Sequence, residues 1–368
     1  MNDTMENTSL PDTATPLRRG WTTGACATAA TKAALTALLT GKFPDPVEIT
    51  LPKGQTPSFA LAFEGLRQDE AQAGIIKDAG DDPDVTHGAL VIATVRLIEK
   101  PGVVFKAGKG VGTVSKAGLP IGVGEPAINP VPRQMMTAVV EELFQQQAVG
   151  GGVEITISIR DGEKLAEKTW NPRLGIIGGL SVLGTTGIVN PFSCSAWIAS
   201  IHRGIDVACA EGLTHLCGAT GSTSETAAQQ RLGLEDQAMI DMGDFVGGML
   251  KYLRKSPVER VTVAGGLAKL TKLAQGAMDL HSGRSQVDFD WLAEALSAIG
   301  AGAQLTRKIA RANTVLEVAM LAGKENLDIG PLIAEKARSQ AQKILKDAPV
   351  KVDIIVVDRK GKIIGIAR

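Results

Sequence analysis

The residues best suited to acid–base chemistry lie in one short acidic segment. Asp78, Asp81, Asp82 and Asp84 fall within seven positions, and His87 follows shortly after them. A carboxylate or imidazole held against a substrate can accept a proton, so Asp78, Asp82, Asp84 and His87 are candidate bases. A solvated acidic turn and a substrate-facing loop both fit the pattern. A hard-metal site fits least well, because a proline interrupts the ligand spacing, and we predict no metal ligands.

Positively charged side chains form a second group of candidates. Arg18 and Arg19 precede a Thr-Thr pair, and Lys106 and Lys109 stand between glycines in a Gly-rich stretch. Lysines beside glycines can bring ammonium and backbone N–H groups to one anion, although a solvated loop has the same pattern. The stretch is not a Walker motif, since Gly-Lys-Ser/Thr is missing.

Glycine-rich turns that follow short apolar runs form the third group. Gly178-Gly179, Gly243-Asp244 and Gly265-Gly266 are such turns, and the last two precede predicted helices. In a parallel sheet such turns lie beyond the carboxyl ends of the strands, where ligands bind. None of them is a G-x-G-x-x-G motif, and close packing explains any single turn equally well. His281 follows in the same half, where a structural role is the commoner one for a lone histidine.

The elements that must position these residues differ between the two halves. Periodicity predicts an α+β domain over residues 17–170, with helices at 22–39 and 133–147 and strands at 47–51, 58–63, 90–97 and 153–159. Repeated strand–turn–helix units predict an α/β domain over 171–368, Rossmann-like with a mostly parallel sheet and a closing hairpin. The polar residues 1–16 are expected to form a disordered tail.

Composition excludes several classes of protein. Lys+Arg and Asp+Glu are equal at 39 each, which argues against a dedicated nucleic-acid binder. Apolar runs are too short to span a bilayer and the start lacks the features of a signal peptide, so we expect a cytoplasmic protein without a membrane partner. The four cysteines form no C-x-x-C pair and are expected to be reduced thiols. Composition leaves a homo-oligomer open.

These segments together resemble the cobalt-precorrin-5B C1-methyltransferase family, CbiD, of anaerobic cobalamin biosynthesis. The resemblance rests on three long motifs at residues 17–30, 77–88 and 175–189. The segments Gly243-Asp244-Phe245 and His281-Ser282 are similar as well. Together they run along nearly the whole chain.

The resemblance implies methyl transfer from S-adenosylmethionine to C1 of cobalt-precorrin-5B, giving cobalt-precorrin-6A, with cobalt present only as part of the substrate. The acidic groups of this corrinoid substrate need cationic and N–H donors, for which the candidates are Arg18, Arg19, Thr22, Thr23, Lys106, Lys109 and Arg133. The methyl donor suits Gly-rich turns and an acidic side chain, for which the candidates are Gly178, Gly179, Thr185, Thr186, Asp244, Gly265 and Gly266. The first domain is expected to bind the corrinoid and the second the donor, and His281 is a further candidate base.

Two other functions stay open. A nucleotide-dependent kinase or ligase would use the loop at residues 106–112. A non-catalytic corrinoid-binding protein would bind the tetrapyrrole and lack a donor site.

Overall fold

The computed structural model describes residues 16–368, and the predicted disordered tail, except for Pro16, lies outside the described residues. The chain forms two compact units. The first contains the residues up to Gly112, Pro126–Thr169 and Gly178–Ser193, and the second contains Thr113–Glu125, Trp170–Ile177 and Cys194–Arg368. The chain therefore passes from one unit to the other several times, and the predicted boundary near residue 170 is one of these points. Residues 178–193, which we assigned to the second domain, belong to the first unit.

Strands occur in both units. They are β1 (Gly20–Trp21), β2 (Val47–Glu48), β3 (Ser58–Phe59), β4 (Phe63–Leu66), β5 (Ala71–Ile76), β6 (Leu90–Ile98), β7 (Gly102–Ala107), β8 (Gly110–Val111), β9 (Thr113–Val114), β10 (Gly152–Ile159), β11 (Ile176–Ile177), β12 (Gly179–Leu180), β13 (Ile188–Val189), β14 (His215–Ala219), β15 (Met239–Asp241), β16 (Arg260–Gly266), β17 (Lys351–Val357) and β18 (Ile363–Ala367).

Helices fall mostly in the second unit. They are α1 (Thr23–Thr40), α2 (Pro130–Gln147), α3 (Gly162–Ala166), α4 (Cys194–Ala210), α5 (Ser222–Leu232), α6 (Val246–Leu253), α7 (Leu267–Ala274), α8 (Phe289–Ser297), α9 (Ala303–Ile309), α10 (Val315–Lys324) and α11 (Ile329–Leu345). Within residues 16–368, no helix has the length and apolar character required for a membrane span.

A five-stranded sheet with the order β4-β5-β6-β10-β7 forms the centre of the first unit. Its pairings are antiparallel except for β10 with β7, which is parallel. Helix α1 packs on β5, β6 and α2, and its seven alanines are all fully buried. Because alanine has a short side chain, the sheet and α2 can both approach the helix axis closely. Thr22 caps the start of α1, and Gly41 ends it in the left-handed conformation.

The second unit contains a sheet with the order β15-β14-β16-β17-β18. Its first three pairings are parallel, and β18 returns antiparallel to β17 as the predicted hairpin. Helices cover both faces of this sheet. Val263 and Ile354 belong to the larger core with α7 and α11, whereas their neighbours Ala264 and Ile355 pack with Ala228 of α5. The mixed α/β class is confirmed, and the Rossmann-like assignment stays a prediction.

The structure also corrects several predicted bounds. Helix α2 begins at Pro130, three residues before the predicted start, because the fixed φ of proline suits the first helical position. The single strand predicted at 58–63 is wrong, since β3 and β4 pair with different strands. Strand β5 was not predicted, although it lies beside β6 at the centre of the fold.

Gly330 gives a test of the packing of α11 on β18 in the second unit. A Cβ atom at Gly330 in α11 would lie 1.9 Å from the Ile364 carbonyl oxygen of β18, whereas one at the exposed Gly323 in α10 would meet nothing within 4 Å. We expect Gly330→Ala to lower the free energy of unfolding by about 2 kcal/mol through overpacking. We expect Gly323→Ala to raise it by roughly 0.5–1 kcal/mol, since alanine favours the helix. Equal urea-unfolding midpoints for the two variants would contradict this packing.

Candidate functional site

Arg18 ties the segment before α1 to the acidic loop. Its guanidinium forms a bidentate ion pair with the Asp78 carboxylate, and its backbone N–H donates to Asp81 Oδ2 at 2.6 Å. The hydrogen bond from Arg18, with one from the Gly80 N–H, lowers the pKa of Asp78 to about 2. Asp78 is therefore a fixed carboxylate near neutral pH and a weak proton acceptor.

Two glycines allow the backbones of these segments to approach. A Cβ atom on Gly20 would lie 2.0 Å from the Ala79 carbonyl carbon. One on Gly80, whose φ is 68°, would lie 2.2 Å from the Arg18 carbonyl oxygen. The Trp21 N–H donates to the Asp78 carbonyl at 2.7 Å across this contact. Side chains larger than hydrogen at these positions would separate the two segments.

A buried ion pair closes the acidic loop. The Lys77 side chain is only 2% exposed, and its ammonium contacts Asp84 Oδ2 and donates to Thr86 Oγ1 at 2.5 Å. Asp84 Oδ1 accepts from the backbone N–H and the hydroxyl of Thr86, at 2.7 and 2.6 Å. Burial would raise the pKa of Asp84, but the Lys77 charge and these hydrogen bonds hold it below its ordinary value. Both carboxylate oxygens therefore have structural partners.

His87 differs from the carboxylates of the loop because its ring remains accessible. The side chain is about half exposed, and its Nδ1 accepts from the Ala79 N–H at 3.1 Å. In the neutral ring this bond places the proton on Nε2. His87 also lines a cavity of about 390 Å³ with the apolar side chains of Phe63 and Ile76 and with Arg160. Arg160 follows β10 and was not among our candidates, since no motif surrounds it.

The third long motif completes this arrangement within the first unit. Thr22 donates its N–H to the Gly187 carbonyl at 3.0 Å, and the Gly24 N–H donates to Leu183 O at 2.9 Å. Strand β1 pairs antiparallel with β13. The Phe192 N–H donates to Asp82 Oδ1 at 2.8 Å. Residues 17–30, 77–88 and 178–189, far apart in sequence, therefore meet around the start of α1.

The predicted substrate-binding residues separate into engaged and accessible groups. Arg133 donates to the carbonyls of Ile128 and Pro126 at 2.8 and 3.0 Å, and Lys106 lies 2.6 Å from Glu154 Oε2. Thr22 and Thr23 are buried. Arg19 and Lys109 are exposed and form no ion pair within the described residues. The glycines beside Lys109 permit close backbone packing, since a Cβ on Gly110 would lie 2.0 Å from Ile159 O.

The predicted donor-binding residues also separate. Gly178, Gly179, Thr185 and Thr186 lie in the first unit, and Asp244, Gly265 and Gly266 lie in the second. Gly179 packs on Gly110, and Thr186 Oγ1 bonds the Ile188 backbone within its own turn. The structure therefore does not bring the seven into one unit. Only Asp244, Gly265 and Gly266 lie at the carboxyl ends of the second sheet.

Lys269 joins the turns at this carboxyl edge. From the first turn of α7 its ammonium donates to the Thr220 carbonyl at 3.0 Å, in the turn after β14. The same ammonium lies 3.0 Å from Asp244 Oδ1, in the turn after β15. Gly266, at the end of β16, faces open space where a Cβ would meet nothing within 4 Å. The edge therefore combines a Lys–Asp ion pair with open space beside Gly266.

Further polar residues surround the edge. Burial, and then the Glu225 carboxylate, raises the pKa of Asp241. Burial lowers the pKa of Lys272, whose ammonium donates to the Leu280 carbonyl at 3.0 Å. His281 is exposed, and its Nδ1 accepts from the Gly283 N–H at 3.1 Å. Lys269, Lys272 and Asp241 were missed from the sequence, because single Lys and Asp residues in apolar elements form no pattern.

Two of the four cysteines are too deeply buried to act as nucleophiles. Burial raises the pKa of Cys26 and of Cys217 to about 12, so both are neutral thiols. Within residues 16–368, no three His, Cys, Asp or Glu side chains are grouped so that they could hold a metal ion.

Fold and site together define a mixed α/β protein of two units, with polar turns at the carboxyl ends of a largely parallel sheet. The family model described as CbiD matches residues 10–191, and the one described as CbiD, C-terminal domain, matches residues 279–368. The chain belongs to the CbiD family.

Curated relatives are similar over nearly the full length. A protein of Brucella canis is 60% identical over 366 residues, covering 99% of this chain and all of the relative, and one of Brucella anthropi is 59% identical with the same coverage. Both are named cobalt-precorrin-5B C(1)-methyltransferase. A crystal structure of the cobalamin biosynthesis protein cbiD from Archaeoglobus fulgidus is 27% identical with a TM-score of 0.38, covering 73% of this chain and 83% of that one.

The buried ion pair of the acidic loop gives a second test. We expect Lys77→Met to lower the free energy of unfolding by about 3 kcal/mol at neutral pH, because Asp84 is left without its counter-ion. Lys32→Met removes a more exposed pair with Glu142, at 3.4 Å, and is expected to cost less than about 1 kcal/mol.

The pH dependence of the same variant distinguishes charge from packing. The folded-state pKa of Asp84 is lowered, so its stabilisation is complete above the unfolded value of about 3.9 and is lost as pH falls below it. The deficit of Lys77→Met should therefore shrink in acid when chemical unfolding is measured from neutral pH downward. A deficit independent of pH would assign the effect to packing alone.

Proposed function

We propose that this chain transfers a methyl group from S-adenosylmethionine to C1 of cobalt-precorrin-5B, and so acts in cobalamin biosynthesis. The observation that carries the proposal is the 60% identity over 366 residues with relatives named cobalt-precorrin-5B C(1)-methyltransferase. In the reaction a carbon–sulfur bond breaks and a carbon–carbon bond forms, and S-adenosylhomocysteine leaves with the electron pair. Such a displacement gains most from alignment of the reactants.

The second unit is the proposed site for the methyl donor. Asp244 Oδ1 is paired with the Lys269 ammonium at 3.0 Å, which orients this carboxylate at the carboxyl edge, and its remaining lone pairs can accept from a ligand. The ribose hydroxyls and the amino group of S-adenosylmethionine are donors of the required kind. Gly266 leaves space beside it, and ligands of α/β sheets bind at this end of the strands. Asp244, Gly265 and Gly266 are therefore retained as donor-binding residues.

The first unit is the proposed site for the corrinoid. Arg19, Lys109 and Arg160 are exposed cations without an ion pair in the described chain, and each can meet a carboxylate of the substrate. Arg133 and Lys106 are less suitable, because protein groups already engage them. The apolar walls of Phe63 and Ile76 beside Arg160 suit the edge of a macrocycle.

His87 is the proposed base, if a proton leaves the macrocycle. Asp78 and Asp84 are paired with cations, and Asp82 accepts from a backbone N–H. The only acceptor of the neutral His87 ring is Nδ1, which the Ala79 N–H engages at 3.1 Å. To act as base, His87 must release this N–H and take the proton on Nδ1, which lies 3.8 Å from Asp78 Oδ1. His281 stays a second candidate base, and its exposed position in the second unit is the one observation in its favour.

Donor binding gives a direct test. We expect calorimetry with S-adenosylhomocysteine to detect binding to the wild-type chain. We expect Asp244→Asn to weaken that binding by about tenfold to a hundredfold, as for loss of a charged hydrogen bond. Asp290→Asn, at an exposed position of α8, removes the same charge and should bind as wild type. ATP binding without donor binding would favour a kinase or ligase, and corrinoid binding alone would favour a carrier.

Single-turnover methylation tests the reaction and the base together. With cobalt-precorrin-5B and S-adenosylmethionine, the wild-type chain should yield a product heavier by one methyl-for-hydrogen exchange, followed by mass spectrometry. His87→Gln should slow this step by about 10²–10⁴-fold, with S-adenosylhomocysteine affinity unchanged. His202→Gln, where the ring stacks on Tyr252 in the second unit, is the matched control. An unchanged rate for His87→Gln removes His87 as the base, and no product from wild type refutes the function.

A further inference from the structure

The amino end of the second sheet carries a row of basic side chains. His215, Arg260 and Lys351 are the first residues of β14, β16 and β17, and they lie side by side in the parallel register. Like charges directly opposite on neighbouring strands are destabilising. Arg260 and Lys351 are such a pair of cations, at the strand ends opposite the proposed donor site. Burial lowers the pKa of His215, whose Nε2 lies 2.9 Å from Thr262 Oγ1, so this ring adds no charge near neutral pH.

This row opens into a cavity of about 720 Å³. Arg231 from the last turn of α5, Arg338 from α11 and Arg368 after β18 also line it. Asp353 is the single carboxylate side chain among the lining residues. The cavity thus gathers five Arg and Lys side chains in a chain whose formal net charge is zero.

Some of these cations already have partners and others do not. Arg260 forms a bidentate ion pair with the buried Asp353, at 2.7 and 2.9 Å. Arg338 donates its Nε to the Val352 carbonyl at 3.3 Å. Within residues 16–368, Arg231, Lys351 and Arg368 form no ion pair. Three exposed cations therefore line the same cavity as the Arg260–Asp353 pair, and an anion bound there would reduce their mutual repulsion.

We propose that this cavity binds a small oxyanion carrying two or more negative charges, a phosphate ester or a polycarboxylate. Arg231, Lys351 and Arg368 would contact the anion, and Arg260, held by Asp353, would orient its guanidinium from the floor of the cavity. Arginine forks suit both phosphate and carboxylate groups. A concave cavity suits a small molecule, whereas nucleic acid needs an extended basic surface. The proposal does not depend on the proposed methyl transfer.

Calorimetry on the full chain with pyrophosphate and with citrate tests this site. We expect wild type to bind at least one of them, more weakly as salt is added. Lys351→Ala and Arg231→Ala should each weaken binding by about tenfold, and the double variant by about a hundredfold. Lys360→Ala is the matched control, since this exposed lysine lies in the turn at the other end of β17. It loses the same charge and should bind as wild type.

Each outcome of this experiment decides something. Preference for pyrophosphate assigns a phosphate ester, and preference for citrate assigns a polycarboxylate. Failure of wild type to bind either anion at millimolar concentration overturns the proposal. So does a loss in Lys360→Ala equal to that in Lys351→Ala, because binding would then follow net charge. Unchanged thermal melting verifies that the variants are folded. If Lys351→Ala does not fold, the binding loss is measured with Arg231→Ala, whose side chain lies on a helix surface.

Discussion

The ion pair between Lys77 and Asp84 is the constraint on which the candidate acceptor site depends. A lysine with 2% exposure needs a close counter-ion, so the loop must fold back until Asp84 reaches it. That fold brings the Gly88 N–H to the Lys77 carbonyl at 2.8 Å and the His87 N–H to the Asp84 carbonyl at 3.0 Å. The imidazole of His87 is thereby held beside Ala79 and over the cavity. The Asp84 carboxylate, which the sequence offers as a candidate base, therefore stabilises the loop instead.

An acidic cluster in a sequence shows how many carboxylates are present, but not which groups pair with them. Here Asp78 faces Arg18 and Asp82 faces the Phe192 N–H, so neither is left to act as a strong base. The partners come from residues 60 and 110 positions away. No local pattern predicts contacts of that separation. The same reason explains why Arg160, which faces the His87 cavity from the end of β10, was not a candidate.

Local sequence patterns predicted single helices and strands better than they predicted which elements pack together. The alanine-rich run and its Thr22 cap located α1 to within a residue, and two short apolar runs around a polar turn located the hairpin of β17 and β18. The turn at Gly178-Gly179 resembles the others in sequence, yet it packs against β8 in the first unit because its glycine fits closely on Gly110. Glycine turns of similar sequence therefore differ in what surrounds them. Close packing explains Gly179, and open space at Gly266 leaves room for a ligand.

A net charge of zero conceals local concentrations of charge in the second unit. At the carboxyl edge of its sheet Asp241 and Asp244 face Lys269, whose ammonium lies 3.0 Å from Asp244 Oδ1. At its amino edge basic residues outnumber carboxylates in a single cavity. Opposite ends of the same strands therefore carry different polar groups. A Lys–Asp pair beside open space suits the proposed methyl donor at one end, and a basic cavity suits the proposed oxyanion at the other.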